Sequence, residues 1–358
     1  MRSPLLVVYV YVLLSSCVTP YEVTTAFQPT FVVDGMITDQ PGPYVVHLSN
    51  AIPINDQLQE TGVVQGATVT VHDDQGATEV LVEKNAGSYY TTSFQGVVGR
   101  SYFITVTTSD GNSYQSTPEA LLPVGDFTNL RFEFVQNEPP AIYGQIKSTN
   151  GFDLFLDSEV LPEQEGRVWW RWTGTFHIFT YPSLRTKPGN GPGLDQVPDP
   201  PLCARHAGPC TCCDCWVTQY NQSPLISDTR FVNNGKITGV HVAFVEANPR
   251  TFYDKYHLAV DQMSVSSTIY NFWKEIKQQK ENSDNLFQTP PPKAKGNMVV
   301  SSAHAIPVIG YFAASSIKTH VVEMTRADVP YPMPQIDVMK VSCTEVYKNS
   351  SATKPDFW

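Results

Sequence analysis

Thr68-Val69-Thr70-Val71-His72, then Asp73-Asp74-Gln75-Gly76, then Val80-Leu81-Val82-Glu83 is the stretch that decides the fold class of this chain. β-branched residues recur at alternate positions beside a short turn built from Asp, Gln and Gly. Strand side chains alternate between faces, and Gly reaches positive φ at little cost, so the pattern predicts two antiparallel strands and a tight connection. The same reading extends in both directions. Phe31 and Val33, then Tyr44, Val46 and Leu48, alternate upstream; residues 102–108 and 114–116 flank Asp110-Gly111-Asn112 downstream. About six short strands with no helical segment between them predict a β-sandwich over residues 31–124.

Gly87-Ser88-Tyr89-Tyr90 and the run from Gly99 to Tyr102 resemble the strand and turn usage of immunoglobulin-like and prealbumin-like modules. Leu121-Leu122-Pro123-Val124 reads as the exit from that sandwich. Beyond it the β pattern resumes at residues 130–135, 142–147 and 152–156, and in Val168-Trp169-Trp170-Arg171-Trp172-Thr173-Gly174-Thr175-Phe176. Residues 125–358 therefore read as a second, larger β-rich domain. Prolines and glycines crowd residues 186–201, which predicts a loop that runs into a Cys-rich stretch, residues 187–216 together. One segment departs from the β pattern. Across residues 266–282, Ile269, Phe272, Trp273 and Ile276 stand at helical spacing while Lys274, Lys277 and Lys280 lie between them. This predicts one amphipathic helix, capped by Ser266 or Ser267 and packed on the second sheet.

The chain has 358 residues, 41% of them hydrophobic and 16% charged, with 28 Pro and 22 Gly. That composition excludes a long coiled coil, a collagen and a charge-driven disordered chain, and the length suits two cores. With 24 basic against 34 acidic residues the formal charge is −10, which argues against nucleic acid as a partner. Residues 1–16 hold Arg2, an apolar run from Leu5 to Leu14, then Ser15 and Ser16. This is the layout of a secretory signal, and Leu14-Ser15-Ser16-Cys17 resembles the lipobox of bacterial lipoproteins. Cleavage before Cys17 and acylation of its thiol would attach the chain to a membrane. Residues 17–30 show no amphipathic pattern and read as a tether.

Six further cysteines are Cys203, Cys210, Cys212, Cys213, Cys215 and Cys343. An even number in an exported chain points to disulfides, among fifteen connectivities open to six cysteines. The string Cys210-Thr211-Cys212-Cys213-Asp214-Cys215, with His206 nearby, also reads as a soft metal site for Zn or Cu. Trp170 and Trp172 share one strand face and are candidates for a sugar platform or for core filling. No metal-protease, nucleophile-elbow or phosphate-loop motif occurs in the sequence. No catalytic residue is assigned, and no cofactor is expected apart from the Zn or Cu alternative.

Taken in order, Arg167 to Thr175, Cys215-Trp216, Tyr256-His257-Leu258, Tyr270-Asn271-Phe272-Trp273, Gln288-Thr289-Pro290, Lys295-Gly296-Asn297, Val308-Ile309-Gly310-Tyr311-Phe312 and Pro355-Asp356-Phe357-Trp358 resemble a known family. It comprises the Bacteroidota lipoproteins grouped as domain of unknown function 4249. The resemblance implies a non-enzymatic outer-membrane lipoprotein, on the periplasmic or surface face, serving a TonB-dependent transporter as its partner in nutrient uptake. A stand-alone glycan- or metal-binding lipoprotein is the alternative, and a secreted hydrolase the weaker one. The adjacent Cys212 and Cys213 depart from the family's usual pattern before the Cys-Trp pair.

Overall fold

The structure is a computed structural model and describes residues 28–52, 62–137, 149–188, 196–204, 210–282, 294–336 and 338–358. The leader, Cys17, most of the tether, the strand expected at 142–147 and His206 lie outside the described residues.

The chain folds as a mainly β protein with two sandwiches. The first uses β1 (Phe31–Thr38), β2 (Val45–Asn50), β3 (Gly62–Val63), β4 (Thr68–Asp73), β5 (Thr78–Val80), β6 (Val82–Asn85), β7 (Ser88–Tyr90), β8 (Ser101–Thr107), β9 (Ser113–Ser116) and β10 (Glu119–Ala120). The two turns named above close antiparallel hairpins. β4 pairs β5 across Gly76 at φ 90°, and β8 pairs β9 across Gly111 at φ 86°. In the first turn Asp73 Oδ1 accepts from the Gln75 and Ala77 N–H groups. Residues 80–83 do not form the single strand expected of them. β5 lies in one sheet and β6 in the other, because Leu81 enters the core while Val80 and Val82 stay 58% and 47% exposed.

This sandwich also takes strands from far downstream, beyond the boundary expected at residue 124. β20 (Met298–Val300) pairs β9, and β21 (Val308–Ser315) runs parallel to β1 from Phe31 opposite Val308 to Thr38 opposite Ser315. A parallel partner needs a long crossover, and here the crossover contains most of the second sandwich. Phe31, Val33, Leu48 and Phe312 from one sheet meet Val69, Tyr102, Ile104 and Tyr114 from the other in a single core.

The second sandwich packs a three-stranded sheet of β11 (Phe127–Asn137), β12 (Thr149–Glu159) and β18 (Lys236–Glu246) against a six-stranded one. The larger sheet runs in the order β22 (Ile317–Thr325), β19 (Lys255–Ser264), β13 (Val168–Phe179), β16 (Asp214–Tyr220) and β23 (Ser350–Ser351), with β17 (Leu225–Ile226) on β13. Phe152, Leu154 and Leu156 of the small sheet pack with Trp170, Phe176, Leu258 and Val260 of the large one. Where a loop was expected, β14 (Thr186–Pro188) and β15 (Gln196–Pro198) form a short hairpin.

The long helix spans Ser267–Asn282, and Ser266 Oγ caps it by accepting from the Ile269 N–H at 3.2 Å. It does not pack on the second sheet alone. Ile269 and Phe272 share a cluster with Trp169, Ile226 and Met263 from the second sandwich and with Met36, Tyr311 and Ala313 from the first. The apolar stripe is therefore core, filling the junction between the sandwiches.

Buried polar groups fix that junction. Gln262 Nε2 donates to Gly125 O at 2.7 Å, while its Oε1 accepts from the Trp170 indole at 2.8 Å. Ser264 Oγ donates to Leu122 O and accepts from the Ser316 N–H. Within the first sandwich, Asn297 bridges Glu119 Oε1 and both backbone groups of Phe312. Burial raises the pKa of the Glu119 carboxyl, opposed by hydrogen bonds from Ser266 and Asn297.

Gly310 sits at φ 105°, and a Cβ there would meet Val33 O at 1.9 Å. Both the backbone conformation and the close approach to β1 require glycine. Gly310→Ala is expected to destabilise the fold by about 3 kcal/mol or more, read as a shifted urea midpoint. An unchanged midpoint would contradict the parallel β1–β21 register.

Candidate functional site

Alternation along the six-stranded sheet separates two sets of side chains. Phe176, Ile178, Cys215, Val217, Tyr256 and Leu258 enter the core. Their neighbours form a strip on the outer face, where His177 of β13 stands opposite Trp216 of β16, and His257 of β19 opposite Glu323 of β22. Asp214, Tyr253 and Lys255 complete it.

The strip is aromatic and charged. His177 stacks on Trp216 with ring centroids 5.0 Å apart and is hydrogen-bonded to Asp214. Lys255 Nζ lies 2.6 Å and His257 Nδ1 3.2 Å from Glu323 Oε1. Hydrogen bonds from Lys255 and then His257 hold the Glu323 carboxyl below the usual glutamate range. The last two residues of the chain cover the strip. Phe357 stacks on His257 at 4.3 Å, and Lys255 lies 5.0 Å from the centre of the Trp358 ring, a cation–π arrangement. Among the described residues the buried Trp216 indole N–H has no hydrogen-bond partner, and Trp216 is only 8% exposed. A buried donor without an acceptor is costly, which marks this part of the strip as one where a bound acceptor would gain.

The sulfurs staple one end of the same sheet. The structure pairs Cys203 with Cys212, Cys210 with Cys213, and Cys215 with Cys343, at Cα separations of 5.7, 5.6 and 6.2 Å, all within the ordinary disulfide range. The Cys343 N–H also donates to Cys212 O at 3.2 Å, so the chain leading to the tail is tied to the cluster twice. Sulfurs paired in this way offer no thiolate to a metal.

Trp170 is not a ligand platform. It is 1% exposed and its indole is occupied by Gln262, while Trp172 packs half-buried against the same core. Sequence reasoning assigned no role to His177, Trp216, His257, Phe357 or Trp358. The signal was present in the alternation on β16, since an inward Cys215 places Trp216 outward. Only the tertiary fold shows the tail crossing the strip.

Fold and site define a two-sandwich β protein with a disulfide-stapled aromatic face. The chain belongs to the family described as domain of unknown function (DUF4249), whose model matches residues 18–320. No curated protein matches it.

Three outcomes test the geometry. Alkylation of the native protein before denaturation should label none of Cys203, Cys210, Cys212, Cys213, Cys215 and Cys343, and stoichiometric Zn or Cu with free thiols would contradict the pairing. The link from Cys215 to Cys343 has a sequence separation of 128 and should contribute about 5 kcal/mol on the chain-entropy account, so Cys343→Ser should lower the denaturation midpoint markedly.

The third outcome concerns pH. Because its folded-state pKa is lowered, Glu323 stabilises fully above the ordinary value of 4.5, and this is lost as pH falls through the lowered one. Acidification through that range should loosen Phe357 and Trp358, seen as a change in tryptophan fluorescence. Glu323→Gln should remove that step.

Proposed function

We propose that the protein is a lipid-anchored component of a bacterial cell envelope, attached through Cys17, which recognises a partner or ligand and serves a TonB-dependent uptake system without catalysing a reaction. What carries this reading is the stretch of residues 1–16 that reads as a leader directly before Cys17, followed by a body whose six remaining cysteines pair, as suits an oxidising compartment outside the cytoplasm. Membership of the family supports it, because the resemblance that led there also implies lipoproteins of Bacteroidota beside TonB-dependent transporters. The strip around His177, Trp216 and Tyr253 is the surface we assign to recognition: aromatic rings with charged partners are suited to sugar rings or to an aromatic-rich protein surface.

A second reading takes the strip as a glycan-binding site acting without a transporter. The aromatic stacking favours it. Palmitate labelling of Cys17 and its loss, with release from the membrane fraction, in Cys17→Ser test the anchor. Recovery of a TonB-dependent transporter with the protein from detergent-solubilised membranes at native abundance tests the partner; recovery of the lipoprotein alone would favour the second reading.

A further inference from the structure

A cleft of about 470 Å³ opens between the long helix, from Phe272 to Gln279, and the outer face of the first sandwich. It exists because the helix is anchored off-centre. Ile269 and Phe272 pack with Met36, Tyr311 and Ala313, while Val32 and Ile309, the outward residues earlier on the same two strands, line the cleft. Ile309 remains 43% exposed. Phe272, Trp273 and Ile276 form the opposite wall. Thr30, the residue before β1, also lines the cleft.

We infer that this cleft takes a neutral acyl chain, namely one carried by Cys17, so that the anchor is sheltered against the folded body whenever the protein is in water. The inference rests on the lipoprotein reading above. The first argument is the lining, which is predominantly aliphatic and aromatic, as an acyl chain requires.

The second argument is position. Thr30 lies 30 − 17 = 13 residues from Cys17, a tether that spans at most roughly 45 Å when fully extended. The lipid-bearing residue is thus held within reach of the cleft.

The third argument is charge. Among the described residues lining the cleft, Asp34 is the one with a charge, and no cation faces it there. A fatty-acid anion would meet a like charge. A chain ester-linked to a glyceryl group carries none, and the buried Trp273 indole N–H, which has no partner among the described residues, is a donor that an ester carbonyl would satisfy.

The test uses the full chain with Cys17→Ser, which carries no lipid and leaves the cleft free. The probe is the methyl ester of a conjugated polyene fatty acid, whose fluorescence rises on leaving water and is excited by energy transfer from tryptophan. We expect saturable binding of one probe per chain, displacement by 1-palmitoylglycerol, and at least tenfold weaker displacement by palmitate. Ile309→Glu should weaken binding at least tenfold without moving the thermal midpoint, since that side chain is already partly exposed. Ile276→Glu should also weaken binding from the helix side, with a lowered thermal midpoint because Ile276 packs against the junction core. Absence of saturable binding, or binding indifferent to both variants, would overturn the inference. So would displacement by a peptide of residues 18–27, which would make the tether the occupant. Palmitate labelling of Cys17 in cells is read separately: a labelled protein whose soluble chain binds no probe refutes the cleft alone, and an unlabelled one refutes the anchor as the source of the chain.

Discussion

The pairing of β1 with β21 is the constraint on which the rest of the molecule depends. Eight residues of each strand run side by side, and β21 passes through Ser316 directly into β22, a strand of the second sandwich. A single run of chain therefore serves as a strand in both bodies. The connection is clamped where it crosses: Ser316 N–H bonds to Ser264 Oγ, Ser315 Oγ donates to Ser264 O, and Asp39 binds Ser316 and the Ile317 N–H. The bonds from Ser315 to Ser264 and from Ile317 to Asp39 join the two bodies and are lost if these separate.

That arrangement places the functional surfaces. The cleft lies over β1 and β21 because the long helix must bridge from the second sandwich onto their outer face. The aromatic strip lies at the ends of the strands of the six-stranded sheet away from Ser264 and Ile317, and there Phe357 and Trp358 cross His257 and Lys255. The two surfaces belong to different ends of one continuous assembly.

What could be read from sequence followed the range of the interactions. Hairpins at Gly76 and Gly111 were legible because the turn chemistry is local, and the long helix because its period and cap are local too. The break at Leu81 was not, since a single inward leucine in an apolar run looks like any other. The return of residues 298–315 to the first sandwich was illegible for a different reason: a parallel partner more than two hundred residues away has no turn to announce it. The strip fared the same way. Cysteine identities announced a stapled region, but the pairing and the tail over His257 needed tertiary placement.

The central claim is that the first sandwich is completed by the returning segment. The direct measurement is the folding of residues 28–124 alone, followed by nuclear magnetic resonance while a peptide of residues 296–316 is added. The account predicts poorly dispersed spectra for the fragment alone and a dispersed, stoichiometric complex once the peptide is present. A fragment that is dispersed and unfolds cooperatively without the peptide would contradict it.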